Sequence, residues 1–226
     1  MKALQFMSPN VMAVNDIATP KIADDEVLLA SRSVGICHSD IELLEGRYII
    51  PFNYPIIPGH EWSAEVMEVG SKVSKLKAGD RVVGECVIGQ EHFGFSISGA
   101  MAQFFIAKAD WLHKLPENVT WTQGALVEPF SCGYYATVRA DNLDASDTVA
   151  VFGAGPIGLG VIAASAAKRA RVIVIEPSAE RAKVAVSLGA EVVIDPSKEN
   201  TKDAVMEATK GVGATVVIDA SGRPEA

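Results

Sequence analysis

Hydrophobic and polar positions divide the chain into two stretches with different periods. Up to about Phe130, short alternating or β-rich runs are separated by Gly, Pro and Asp. This pattern predicts a small β-barrel-like domain with irregular loops. The predicted strands cover residues 26–30, 63–70, 80–84 and 102–106.

After Phe130 the pattern changes to strands that alternate with Ala-rich or charged helical segments. The predicted strands cover residues 148–152, 171–176, 191–195 and 215–219. The predicted helix over 156–168 is small and apolar nearly all round, which suits close packing on a sheet. This order predicts half of a parallel doubly wound sheet. The fold class is therefore α/β plus β, with one domain over 1–130 and a second, partial domain over 131–226.

Composition narrows the function classes. The 226 residues are 49% hydrophobic and 21% charged, enough for one sizeable core or two smaller ones. A net charge of -8 and a pI near 5.0 disfavour binding to nucleic acid or to anionic membranes. Small molecules are the expected partners. The sequence shows no secretory signal and no stretch that approaches a membrane span, so a cytoplasmic location is expected.

Three short segments carry side chains that bind metals. They read GICHSD at 35–40, GHE at 59–61 and VEP at 127–129. Each is flanked by Gly or Pro and is expected to be a loop. Together they offer a thiol (Cys37), an imidazole (His60) and two carboxylates (Glu61 and Glu128). Zinc accepts this mixture of ligands, and a catalytic zinc takes three of them from the protein.

A second motif, VAVFGAGPIG at 149–158, runs from a predicted strand through a Gly-rich turn into a helix. Gly153 permits the tight turn, Gly155 lets the backbone approach a pyrophosphate, and Gly158 lets helix and strand pack closely. Pro156 and Ile157 begin the helix, whose N-terminal N–H groups face the phosphates. The motif predicts a dinucleotide site.

Two charged residues bear on which dinucleotide binds. Glu176 ends the next predicted strand, about 20 residues after the motif, where a carboxylate accepts hydrogen bonds from the ribose hydroxyls. Glu176 would also repel a 2′-phosphate, which favours NAD. Arg181 lies nearby in sequence and can contact the adenosine ribose or stack on adenine, so NADP is not excluded.

These motifs, together with GDRV at 79–82 and in this order, resemble the zinc-dependent medium-chain alcohol dehydrogenases. The segment around Glu128 is most similar to the sorbitol and threonine dehydrogenase branch. The resemblance implies a GroES-like β-barrel catalytic domain followed by a Rossmann domain. It also implies hydride transfer between NAD and a secondary alcohol of the polyol or hydroxy-amino acid type, with a catalytic zinc.

The resemblance assigns ligand roles. Cys37 and His60 match ligand positions, although a lone cysteine would otherwise be an ordinary buried thiol. Glu61 is either a direct ligand or a supporting residue. Glu128 stands where polyol-active relatives carry a glutamate, and its other interpretation is a helix N-terminal charge. Which glutamate is the third ligand stays open.

The residues after Cys37 match the family's proton path. Ser39 would carry the substrate proton outward, and Asp40 would accept a hydrogen bond from His60 and set its tautomer. The alternative is a plain surface turn. His38 matches a position that can touch the cofactor pyrophosphate. Relatives commonly have a histidine at the outer end of this path, where this chain has Glu42.

The chain departs from the family in two places. It lacks the four closely spaced cysteines that hold a structural zinc in many relatives, and Cys86 alone cannot form such a site, so one catalytic zinc and no structural zinc are predicted. It also ends after the fourth predicted strand of the second domain. We expect these residues alone to have an exposed sheet edge, to self-associate and to show little turnover. We expect the full-length protein to be a homo-oligomer.

Two rival functions are considered. The first is a nucleotide-binding protein of the same fold without turnover. The second is a metal-free reductase on the same fold, but such relatives lack the set formed by Cys37, the GHE segment at 59–61 and Glu128.

Overall fold

The computed structural model describes residues 1–141 and 143–223. The chain divides into two compact units, Met1–Glu128 and Pro129–Ala226. In the described part, no helix is both long and apolar enough to cross a lipid bilayer.

The first unit is built around a five-stranded antiparallel sheet and a separate hairpin. Its strands are β1 (Lys2–Ser8), β2 (Val11–Asp16), β3 (Glu26–Val34), β4 (Trp62–Val69), β5 (Arg81–Gly84), β6 (Val87–Ile88), β7 (Glu91–His92), β8 (Phe104–Lys108) and β9 (Leu112–Lys114). The main sheet has the order β8-β3-β4-β5-β9, while β1 pairs with β2 and β6 with β7. Alternation explains the buried face: Val27 and Leu29 are fully buried, whereas Glu26 and Leu28 between and beside them are half-buried.

Large aromatic side chains fill the core of the first unit. Trp62, Phe93 and Phe105 are each at most 4% exposed, and all three rings contact one another. Because aromatic rings bury large apolar areas, this trio fixes the packing of β4 and β8 against the chain that follows β7.

Three helices accompany or follow these strands. They are α1 (His38–Glu45), α2 (Trp121–Ala125) and α3 (Val127–Arg139). Helix α1 ends at Gly46, whose φ of 76° is the left-handed conformation typical of a helix C-terminus. The prediction that the metal-binding segments are loops is wrong in part. Ser39 and Asp40 lie in the first turn of α1 and Glu128 in the first turn of α3, because Cys37 and the VEP segment are helix starts.

The second unit is a four-stranded parallel sheet with helices. Its elements are β10 (Thr148–Phe152), α4 (Pro156–Ala167), β11 (Arg171–Ile175), α5 (Ala179–Ser187), β12 (Val192–Ile194), α6 (Thr201–Ala208) and β13 (Val216–Asp219). The strand order is β12-β11-β10-β13, with every pair parallel. Val149, Val151, Val172 and Val174 are fully buried, as expected of parallel strands covered on both faces.

The fold class predicted from the sequence is confirmed, and each predicted strand of the second unit matches an observed one within a residue or two. The strand predicted over 102–106 is shifted and begins only at Phe104. Ala102 instead forms an isolated bridge with Ala3 of β1, so the residues before Phe104 pair outside the main sheet.

Candidate metal centre and cofactor cavity

The folded chain brings together three of the predicted ligands. The sulfur of Cys37, a ring nitrogen of His60 and a carboxylate oxygen of Glu61 all lie within 4.8 Å of one another. Cys37 stands immediately before α1, and His60 and Glu61 follow Gly59, whose φ is 98°. The left-handed turn at Gly59 interrupts an extended course here, so two adjacent residues can offer donors to one point.

Asp40 holds two of these ligands in place. Its Oδ2 accepts a hydrogen bond from the backbone N–H of Cys37 at 2.9 Å. Its Oδ1 lies 3.6 Å from Nδ1 of His60, and both side chains are at most 5% exposed. Neither of these two atoms has a hydrogen-bond partner among the described residues. A carboxylate beside Nδ1 orients the ring so that Nε2 points to the other donors, as in metal sites where a carboxylate supports a histidine ligand.

Titration shifts at the centre show which charge it favours. Burial alone lowers the pKa of His60, but the neighbouring Asp40 and Cys37 outweigh it and raise this pKa to about 10. The His60 side chain in turn lowers the pKa of the Cys37 thiol. Burial raises the pKa of Glu128, and the carboxylates of Glu61 and Asp40 add to this shift. The acidic surroundings therefore favour positive charge at the centre, and a zinc ion would supply that charge when His60 gives up its proton.

The two glutamates are placed differently. Gly35 donates its N–H to the Glu61 carbonyl at 2.7 Å, and a Cβ at Gly35 would lie 2.3 Å from Glu61 Oε2. Glycine at this position therefore leaves space for the Glu61 carboxylate beside the segment that carries Cys37. Glu128 is half-buried and does not join the three-donor group, although its charge contributes to the raised pKa of His60. The three-donor group therefore contains Glu61 and not Glu128.

Of the other residues predicted near the centre, Ser39 lies beside His60, whereas no hydrogen bond or ion pair joins His38 or Glu42 to it in the described part of the chain. The Oγ of Ser39 lies 3.5 Å from Nε2 of His60, the ring nitrogen opposite the one that faces Asp40. His38 is exposed at the first position of α1. Glu42 is engaged in an ion pair with Arg47 at 2.9 Å. Ser39 therefore lies next to His60, whereas Glu42 is paired with Arg47.

The Gly-rich turn between β10 and α4 has the geometry that its three glycines predict. Gly153 has a φ of 88°, and a Cβ at Gly158 would lie only 2.0 Å from the Gly153 carbonyl oxygen. Gly155 precedes α4, and a Cβ there would meet nothing within 4 Å. Pro156 occupies the first helical position, followed by Ile157. The open space at Gly155 is where a phosphate can approach the helix N-terminus.

Glu176 connects this turn to the next helix. The side chain is 4% exposed, its Oε2 accepts from the Ala154 N–H at 2.8 Å, and its Oε1 accepts from the Ser178 N–H at 2.8 Å. A carboxylate has about four lone-pair positions, so each oxygen keeps capacity for a ligand hydroxyl. The residue therefore fixes the turn and remains able to accept a hydrogen bond.

A cavity of about 940 Å³ opens beside the turn, within the size range of cofactor sites. Four predicted residues line it: Gly153, Gly155, Glu176 and Arg181. Sequence reasoning missed two further cations in its lining, Lys202 and Arg223. The sequence position of Lys202 could have predicted its place in the cavity, because it lies at the start of α6, the helix after β12. Helix starts and loops at the carboxyl ends of parallel strands surround one crevice.

Together, an antiparallel β unit with a thiol, imidazole and carboxylate centre and a parallel unit with a dinucleotide turn are the parts of a metal-dependent oxidoreductase. Residues 23–117 match the family model for the alcohol dehydrogenase GroES-like domain, and residues 156–226 match that for zinc-binding dehydrogenases. The chain belongs to the zinc-dependent medium-chain alcohol dehydrogenase family.

Relatives of known function cover nearly the whole chain. D-arabitol-phosphate dehydrogenase of Enterococcus avium is 35% identical, over 98% of this chain and 69% of its own length. (R,R)-butanediol dehydrogenase of Bacillus subtilis is 36% identical, over 99% of this chain and 71% of its own length.

Solved structures show the same fold. The crystal structure of 2R,3R-butanediol dehydrogenase from B. subtilis superposes with a TM-score of 0.89 at 34% identity, covering 99% of this chain and 71% of that one. A zinc-binding dehydrogenase from Sinorhizobium meliloti 1021, solved with NADP, has a TM-score of 0.90 at 26% identity, covering 99% and 70%.

Proposed function

We propose that the protein is a zinc-dependent, NAD-linked dehydrogenase that oxidises a secondary alcohol of the polyol or hydroxy-amino acid type. The observation that carries this proposal is the convergence of the Cys37, His60 and Glu61 donor atoms within 4.8 Å. The names of the relatives, an arabitol phosphate and a butanediol dehydrogenase, favour a substrate with more than one oxygen function over a simple alcohol.

The metal centre of this proposal lies in residues 1–130 and the dinucleotide site in residues 131–226. Cys37, His60 and Glu61 hold one zinc. The half-buried Glu128 contributes a negative charge to the surroundings of His60. When bound, zinc supplies Lewis-acid polarisation of the alcohol oxygen, and the nicotinamide supplies the hydride acceptor.

The chain's own residues then orient groups and move a proton. Asp40 keeps the His60 ring in one tautomer and one orientation, so that Nε2 stays directed to the metal. The Ser39 hydroxyl lies near Nε2 of the ring and can accept the proton of a bound alcohol while it donates its own proton to a solvent water molecule. Alcohol oxidation releases this proton, so a hydroxyl near the reacting oxygen can carry it away.

Replacing Ser39 with alanine is expected to lower kcat by about 10²-fold or more while zinc content stays unchanged, since one positioned acid–base group contributes about that factor. Ser33→Ala, in β3 and outside the metal centre, is the matched control. Zinc analysis and steady-state kinetics on both variants check the prediction. An unchanged kcat in Ser39→Ala, or an equal loss in Ser33→Ala, would contradict the proton role.

We expect the unmodified protein to bind NAD more tightly than NADP, because the Glu176 carboxylate accepts from free ribose hydroxyls and repels a phosphate. Glu176→Gln keeps the side-chain volume but removes the charge, so the preference should fall by about tenfold, the worth of one charge contact of about 1.4 kcal/mol. Glu180→Gln, which does not line the cavity, is the control. Equal affinity of the unmodified protein for both dinucleotides would show that Arg181 outweighs Glu176.

The proposed function is tested by measuring three quantities separately: zinc content, NAD affinity and turnover on a panel of polyols, diols and hydroxy-amino acids. We expect one zinc per chain and NAD binding. Turnover on at least one member of the panel is expected of the full-length gene product, because these 226 residues alone are expected to turn over little. Zinc and NAD binding without turnover on any substrate would favour a binding role. Turnover that survives complete zinc removal would favour a metal-free reductase.

A further inference from the structure

The face of the His60 ring is held by an aromatic side chain to which the sequence gives no role. The edges of this ring face Asp40 and Ser39, as described above. Across its face, the ring centroid of Phe95 lies 4.6 Å from that of His60, with 38° between the planes. Phe95 is 2% exposed and His60 is 5% exposed. The contact is therefore fully enclosed, and one face of a metal-ligating imidazole rests on a hydrocarbon ring.

Phe95 is itself fixed from behind. The ring of Tyr48 stacks on it at 4.4 Å, with 17° between the planes. Phe95 also belongs to an apolar cluster that contains Phe6, Leu43 and Ile56. Aromatic pairs prefer a small set of relative orientations, so a ring clamped in this way restricts the orientation of the imidazole on its other side.

The backbone around Phe95 is attached to the backbone before His60. We name residues 93–101 the docking segment. Three of its N–H groups donate to carbonyls of residues 57–59, from Gly99 to Ile57 at 2.7 Å, from Ala100 to Gly59 at 2.9 Å and from Met101 to Pro58 at 3.0 Å. A Cβ at Gly94 would lie 3.0 Å from the Gly59 backbone, so glycine permits this approach. The docking segment therefore places Phe95 at a fixed distance from His60.

We propose that Phe95 is a positioning residue that sets the plane of the His60 imidazole, and through it the affinity and geometry of the metal centre. The inference rests on the proposed function, because it concerns the same centre. A metal–nitrogen bond requires the metal to lie near the ring plane, so a ring free to tilt binds more weakly. Residues that orient a ligand without touching the metal typically change metal affinity by about 10–100-fold.

The chain offers a matched control within the docking segment. Phe93 is 1% exposed, so Phe93→Leu and Phe95→Leu remove similar buried aromatic rings. Phe93, however, packs against Trp62 and Phe105, at 5.5 and 5.7 Å between centroids. A purely structural role of Phe95 predicts the same result for both variants, whereas a positioning role predicts different results.

The experiment measures zinc affinity by competition with a chromophoric chelator, the visible absorption bands of the Co²⁺-loaded protein, and thermal unfolding. We expect Phe95→Leu to raise the zinc Kd about 10–100-fold and to shift the cobalt bands, which report ligand geometry. Phe93→Leu should lower thermal stability to a similar extent and leave both metal readouts unchanged.

Tyr48→Leu is the second variant, which keeps the inference testable if Phe95→Leu does not fold. It removes the ring behind Phe95 and should weaken zinc binding in the same direction by a smaller factor. The inference would be overturned if Phe95→Leu and Phe93→Leu changed the zinc affinity and the cobalt spectrum equally. If Phe95→Leu is insoluble, unchanged zinc affinity and cobalt spectrum in Tyr48→Leu would also overturn it. A full-length gene product that binds zinc but never turns over would instead overturn the proposed function alone.

Discussion

Replacing Cys37 with alanine is expected to abolish zinc retention, with an affinity loss of more than about 100-fold. Loss of a direct ligand must exceed the 10–100-fold effect typical of residues that only support a ligand. Cys37 supplies the only thiolate of the three-donor group, and His60 and Glu61 alone leave two donors. Metal analysis after dialysis, together with the chelator competition assay, measures the effect. Turnover should be lost in parallel.

The control for this variant is Cys132→Ala, which removes an exposed thiol from α3. This change should leave zinc content, NAD affinity and turnover unaltered. An undiminished zinc content in Cys37→Ala would show that the zinc is bound at another site. It would remove the main support for the proposed function.

The second large effect is expected at Gly155, where replacement with alanine should abolish dinucleotide binding without unfolding the protein. A Cβ at this position meets nothing within 4 Å in the folded chain, so the substitution is sterically free. In the proposed dinucleotide site the pyrophosphate would approach the backbone of the turn through this free space, and a methyl group there would block the approach. Titration with ADP-ribose should show at least about a 100-fold loss, equivalent to about 2.7 kcal/mol.

Gly158→Ala separates this effect from damage to the fold. Its Cβ would lie 2.0 Å from the Gly153 carbonyl oxygen, so the turn or the helix must move. We expect this variant to lose about 1–3 kcal/mol or more of unfolding free energy, as overpacked sites do, together with dinucleotide binding. Wild-type affinity in Gly155→Ala would show that the cofactor does not approach this turn.

The second unit was the more predictable part of the fold. Strands β10 and β11 are continuous apolar runs buried on both faces, at 149–151 and 172–174, and each is followed by turn residues and a helix. The first unit was harder because its short strands depend on distant partners. The hairpin of β1 and β2 escaped prediction, since only Ala3 and Phe6 of β1 are fully buried and most of β2 is exposed.

The sequence predicted four candidate metal ligands, and the structure brings the donor atoms of three of them, Cys37, His60 and Glu61, within 4.8 Å of one another. Family-like motifs identified Cys37, His60 and both glutamates, because the residue types and their order are specific. They could not rank Glu61 against Glu128, since that depends on how the chain turns at Gly59 and on the space that Gly35 leaves. Phe95 escaped notice for a similar reason: a phenylalanine in a loop has no chemical signature until the fold places it against His60.

The β6–β7 hairpin offers a permissive position for protein engineering. Its tip, Gly89 and Gln90, is exposed, and a Cβ at Gly89 would meet no atom within 4 Å. Exposed tips of this kind are preferred sites of tolerated insertions, and lengthening a loop costs little closure entropy. A fluorescent or affinity module can therefore be inserted between Gly89 and Gln90 with little expected cost to the fold of the first unit.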